Sequence, residues 1–126
     1  MKLEGRVALV TGGGRGIGEA IALAYAEEGA DTIVTARTQS EVDGVAARIE
    51  RLGRQALPIS ADLSSRDGVA ALVEQTKARF PRVDILVNNA GVGGSQNPNP
   101  VSQFDDDFWD LSLMVTSLSC WQVLSR

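Results

Sequence analysis

Residues 7–21, Val7-Ala8-Leu9-Val10-Thr11-Gly12-Gly13-Gly14-Arg15-Gly16-Ile17-Gly18-Glu19-Ala20-Ile21, constrain this chain more than any other stretch. A short apolar run breaks into a glycine-rich turn and then opens a helical pattern. Successive glycines let a backbone turn tightly and approach a pyrophosphate closely. The first turn of the following helix offers unpaired N–H groups and the positive end of the helix dipole. The order strand, glycine turn, helix is therefore a phosphate cradle.

The remaining pattern alternates strands and helices around that cradle. Residues 6–11 read as a strand buried on both faces, because the run is continuously apolar. From Gly16, the apolar positions Ile17, Ala20, Ile21, Ala24 and Tyr25 recur at helical spacing, and Gly29 stops the helix. Residues 32–35 form a second strand, rich in β-branched residues. Thr38 with Glu41 has the spacing of a capping box. It opens a second helix whose inner face is Val42, Val45, Ala46 and Ile49. Residues 55–60 are a third, weaker strand, which Pro58 confines to an edge. Ser64 or Ser65 caps a third helix with Val69, Leu72, Val73, Thr76 and Phe80 on one face. Residues 83–87 are a fourth strand, ending at Asn88-Asn89-Ala90-Gly91.

A loop at 92–103 dense in Gly, Asn and Pro follows, then a helical pattern at 105–126 carrying Phe108, Leu111, Val115 and Leu118. Trp109, Leu113, Met114 and Trp121 lie off that stripe, so the helix is apolar over most of its circumference and calls for cover on more than one side. Alternation with short turns implies right-handed crossovers. The expected fold is α/β, a Rossmann-type doubly wound parallel sheet with helices on both faces. It is incomplete, with about four strands in the order 3-2-1-4. Residues 1–126 form one partial dinucleotide-binding domain, closed by the helix after the fourth strand.

Composition removes several functions. The net charge of −4 argues against a nucleic-acid binder that relies on a basic surface. No apolar run approaches the length of a membrane span. Residues 1–5 lead into the first strand without a signal-peptide pattern, so the expected compartment is the cytoplasm. There is one cysteine, Cys120, and no histidine, which leaves no internal disulfide and no Ser-His-Asp or Cys-His chemistry.

Four features in one order carry a family resemblance: Thr11-Gly-Gly-Gly-Arg-Gly-Ile-Gly18, Ala36-Arg37 after the second strand, Asp62-Leu63 after the third, and Asn88-Asn89-Ala90-Gly91 after the fourth. Together they resemble the short-chain dehydrogenase/reductase family of nicotinamide-dependent oxidoreductases, over a stretch matching roughly the first half of such an enzyme. The resemblance implies that Gly12, Gly16 and Gly18 serve the turn, the close approach to pyrophosphate and the helix–sheet contact. It implies that Ile17 packs beneath the cofactor as well as in the core. Asp62 would accept a hydrogen bond from the adenine amino group; its alternative role is to cap the third helix. Asn88, Asn89, Ala90 and Gly91 would support the central strand and line the cofactor's ribose.

Charge decides between the two nicotinamide cofactors. NAD sites of this fold carry Asp or Glu about twenty residues past the glycines, on the ribose 2′-hydroxyl. Ala36, Arg37 and Thr38 stand there in this chain; Asp31 comes too early and Asp43 too late. Arg37, with Arg15 in the glycine turn, can pair with a 2′-phosphate. The expectation is NADP(H) over NAD(H), with two solvated surface arginines as the alternative.

In this family the chemistry belongs to a Tyr-x-x-x-Lys pair, an upstream Ser and a helix Asn. Tyr25, the only tyrosine, is followed four residues later by Gly29 and reads as a core aromatic, so no catalytic residue is assigned. The helix Asn would fall at Thr116 or Ser117. Three readings follow: the cofactor-binding portion of an oxidoreductase, inactive alone; a non-catalytic NADP(H)-binding module pairing with a full-length relative; or an interaction fragment forming homo- or hetero-oligomers through the apolar helix 105–126.

Overall fold

A computed structural model describes residues 2–63, 65–87 and 89. Within them lie β1 (Val7–Thr11), α1 (Gly16–Glu27), β2 (Asp31–Ala36), α2 (Gln39–Arg51), β3 (Ala56–Ser60), α3 (Arg66–Arg79) and β4 (Ile85–Val87). The four strands form one parallel sheet in the order β3-β2-β1-β4. This is the Rossmann-type arrangement expected from the alternating pattern. Pro58 sits in β3, at the sheet edge, where its missing N–H breaks no central ladder.

Side chains alternate across the sheet, because successive Cβ atoms of a strand point to opposite faces. Val7, Leu9, Ile33 and Ile59 pack on one face with Val69, Leu72, Val73 and Phe80, the apolar stripe of α3 and its end. Val10, Val34 and Ala56 pack on the other with Ala22 and Ala26 of α1 and Val42, Val45, Ala46 and Ile49 of α2. β1 is buried along its whole length, so its continuous apolar run needs cover from both layers.

Two local expectations are corrected. The buried face of α1 is Gly18, Ala22 and Ala26, and Ala20 and Ala24 are exposed. Small residues four apart make a flat strip that lets the helix lie close on the sheet, so burial here follows size and not hydrophobicity. Ile17 is 74% exposed and belongs to no core cluster. Tyr25 is half-buried. The Thr38–Glu41 box is not made either: Thr38 holds the N-cap position of α2 without a side-chain cap bond. For α3 the cap is Ser65, whose Oγ accepts from Gly68 N at 2.9 Å.

The far end of the sheet is pinned by Asp84. Its Oδ2 accepts from Val7 N at 2.9 Å, and its own N donates to Val7 O at 2.8 Å. Arg82 and Arg6 stand 3.1 and 3.7 Å from Oδ1.

Candidate dinucleotide site

The carboxyl ends of all four strands share one rim. In the order β3-β2-β1-β4, sequential progression reverses between β1 and β4, and open α/β sheets bind ligands in the crevice at such a switch point. The two turns flanking it are the glycine turn after β1 and the turn containing Asn89 after β4.

These turns are tied to one another. Thr11 Oγ1 donates to Val87 O at 3.3 Å and accepts from Asn89 N at 2.9 Å. Asn89 Nδ2 donates to Gly12 O at 3.3 Å. A methyl group added at Gly18 would collide with that same Gly12 carbonyl and lie 2.7 Å from Asn89 Nδ2. The start of α1 therefore rests directly on the turn, and only glycine permits the contact.

Gly12 and Gly16 have φ of +66° and +61°, a conformation that side chains disfavour. Nothing lies within 4 Å of a methyl group placed on Gly16, so the outer side of the turn is open. The first helical bond of α1 runs from Glu19 N to Arg15 O at 3.3 Å, and the amides of Gly16, Ile17 and Gly18 precede it. That is the donor set that a pyrophosphate requires. Glu19, the acid in this first turn, pairs with Arg48 of α2 at 2.6 Å, which offsets its charge near the anion site.

The β2 side of the rim carries the basic groups. Arg15 and Arg37 are both exposed, and among the described residues neither forms an ion pair. The backbone at Arg37 is fixed by Ser60, whose Oγ donates to Arg37 O at 2.9 Å. Gly13 N donates to Thr35 O at 3.0 Å and joins the glycine turn to β2. Asp62 is exposed one strand further along, its carbonyl accepting from Ser65 N and Oγ at 3.3 and 3.2 Å, while Leu63 is buried against the α3 layer. The capping role open to Asp62 thus falls to Ser65.

The structure brings Gly12, Arg15, Gly16, Ile17, Gly18, Arg37, Asp62 and Asn89 to one rim. Asn88, Ala90 and Gly91 lie outside the described residues. So do Ser64, the loop at 92–103 and the helical pattern at 105–126 with Thr116 and Ser117. The groups on this rim are of the kind a dinucleotide requires: open amides at the start of α1, two exposed arginines and the exposed Asp62.

Two residues were missed in the sequence. Thr11 joins the two turns through its hydroxyl, which a reading centred on glycines passes over. Glu41 folds back from the first turn of α2 onto the glycine turn. A methyl group on Gly14 would lie 3.0 Å from Glu41 Cβ and 3.3 Å from its Oε1, with Ala36 Cβ at 3.2 Å. Its spacing from Thr38 suggests only a capping role, and nothing local in the sequence signals its approach to the glycine turn.

A family model described as short chain dehydrogenase matches residues 6–125. The chain is 45% identical over 125 residues to a 2-dehydro-3-deoxy-D-gluconate 5-dehydrogenase of Pseudoalteromonas atlantica, covering 98% of this chain and 48% of that protein. It superposes on a metagenomic short-chain oxidoreductase solved with NADP, with a TM-score of 0.82 and 36% identity over 99% of this chain and 56% of that one. L-Sorbose reductase from Gluconobacter frateurii, solved with NADPH and L-sorbose, gives a TM-score of 0.86 and 31% identity over 99% of this chain and 48% of that one. The chain spans a third to a half of the length of the curated relatives it matches.

Proposed function

The chain belongs to the short-chain dehydrogenase/reductase family, and from that premise we propose that these 126 residues are the cofactor-binding portion of an oxidoreductase reading NADP(H) in preference to NAD(H). One observation carries the reading. The turn from Gly12 to Gly18, open on its outer side and locked to Asn89, faces the switch point between β1 and β4. Arg15 and Arg37, exposed and free of ion pairs among the described residues, supply the preference for the 2′-phosphate. The relatives solved with NADP or NADPH support it.

A bound nicotinamide supplies the hydride exchanged between an alcohol and a carbonyl. The chain's own share is to bind and orient the dinucleotide. Proton transfer to the substrate oxygen needs a positioned acid. Tyr25 is half-buried on α1 and is followed four residues later by Gly29, so it does not supply one. We therefore infer that the 126 residues alone bind cofactor without turning over. Fluorescence titration tests the first half: saturable binding of NADPH, tighter than NADH, is expected, and no binding of either overturns the reading. Incubating NADPH with a panel of ketones tests the second, where measurable oxidation of the cofactor overturns inactivity.

A further inference from the structure

NAD sites of this fold carry an acid at the end of β2, where Ala36, Arg37 and Thr38 stand in this chain. The fold supplies one from elsewhere. Glu41 belongs to α2, yet its carboxylate lies against Gly14, and its Cβ and that of Ala36 crowd the same point. Gly14 precedes Arg15, and Ala36 precedes Arg37. The carboxylate thus lies beside Gly14, whose other close neighbour is Ala36, so each of the two residues it borders is followed in sequence by an arginine, and Glu41 is half-buried there. Among the described residues it forms no ion pair with either arginine.

We propose that Glu41 is a specificity-determining residue that holds this site open to both cofactors and limits its preference for the 2′-phosphorylated one. The inference rests on the binding role proposed above. A carboxylate beside the ribose accepts a hydrogen bond from a free 2′-hydroxyl, which NAD(H) has. The same charge repels a 2′-phosphate, so it opposes Arg15 and Arg37 whenever NADP(H) is the ligand. Two positive groups and one negative one then act on the same ribose substituent in opposite directions. A residue of merely structural importance would move both affinities together; Glu41 moves them apart.

Glu41→Gln tests this, because it keeps the side-chain volume and removes the charge. Dissociation constants for NADP+ and NAD+ are measured by calorimetry on the parent chain and the variant, with circular dichroism melts on both. The expected result is a rise of about tenfold in the NADP+ to NAD+ affinity ratio, the scale of one close charge at a partly solvated site. A ratio within twofold of the parent's overturns the role of Glu41 while leaving the cofactor reading intact. A parent chain that binds neither dinucleotide overturns both. Glu41→Asp provides the second arm: it keeps the charge on a shorter stem, and a ratio close to the parent's is expected. A rise as large as that of the Gln variant would assign the effect to packing against Gly14 and so overturn the electrostatic role.

Discussion

The side-chain amide of Asn89 donates to the carbonyl oxygen of Gly12 at 3.3 Å, and the α-carbon of Gly18 packs against that same carbonyl. The glycine turn, the first turn of α1 and the Asn89 side chain meet at one oxygen atom. Gly18→Ala is expected to lower stability by about 1–3 kcal/mol, the usual penalty for forcing a group into a filled site. It should weaken NADPH binding as well, because the start of α1 must lift away from the turn. Urea denaturation with a parallel NADPH titration measures both; a variant with parental values would show that the contact relaxes without consequence.

Arg37 carries the charge reading of cofactor preference. Arg37→Asp should lower NADP+ affinity by about 1.5–3 kcal/mol, the range for a hydrogen bond to a charged group. NAD+ affinity should hold or improve, because a carboxylate at that position can accept from the 2′-hydroxyl. Paired titrations with the two dinucleotides decide it. An unchanged preference removes Arg37 from the site.

Thr11 links β1 to β4 through one hydroxyl that both donates and accepts. Thr11→Val keeps the shape and deletes those bonds, leaving Asn89 N without this acceptor. The expected loss is about 1–3 kcal/mol of stability. Chemical denaturation reads it, and a neutral result would mean that the neighbouring bond from Asn89 N to Val87 O, at 3.1 Å, suffices.

Ser65 caps α3 on the layer formed by Val69, Leu72 and Val73. Ser65→Ala should cost about 1 kcal/mol, and Ser65→Asp should restore it. Neither should alter the ratio of NADP+ to NAD+ affinity, since among the described residues the hydroxyl bonds only Gly68 N and the Asp62 carbonyl, and the adenine proposed to lie at Asp62 is common to both dinucleotides. A thermal melt and the paired titrations check this; a changed ratio would connect the cap to the 2′-substituent.

Most of the architecture was legible because it follows from pattern. Alternation of buried strands with helices forces parallel crossovers, and Pro58 placed β3 at an edge. The inner faces of α2 and α3 were readable because Val, Leu and Ile mark them. The face of α1 was not, because Gly18, Ala22 and Ala26 carry little hydrophobic signal, whereas the conspicuous Ile17 points outward. The rim residues that follow strand ends were legible as motifs. Glu41 was not, because its proximity to Gly14 comes from the approach of α2 to the glycine turn in space, and no local spacing records that.

β4 is three residues long, too short for its ladder with β1 to define register unaided. Its two ends are fastened separately: Asp84 grips the backbone of Val7 before the strand begins, and Thr11 grips Val87 and Asn89 where it finishes. A slip of one residue would exchange the faces of Leu86 and Val87, which pack into opposite layers. It would also carry Asn89 away from Gly12. The position of the cofactor-side amide is thus set partly from the opposite end of the sheet, by a carboxylate that no dinucleotide would touch. Damage at Asp84 should therefore surface as a binding defect at a distance, with every residue of the glycine turn still in place.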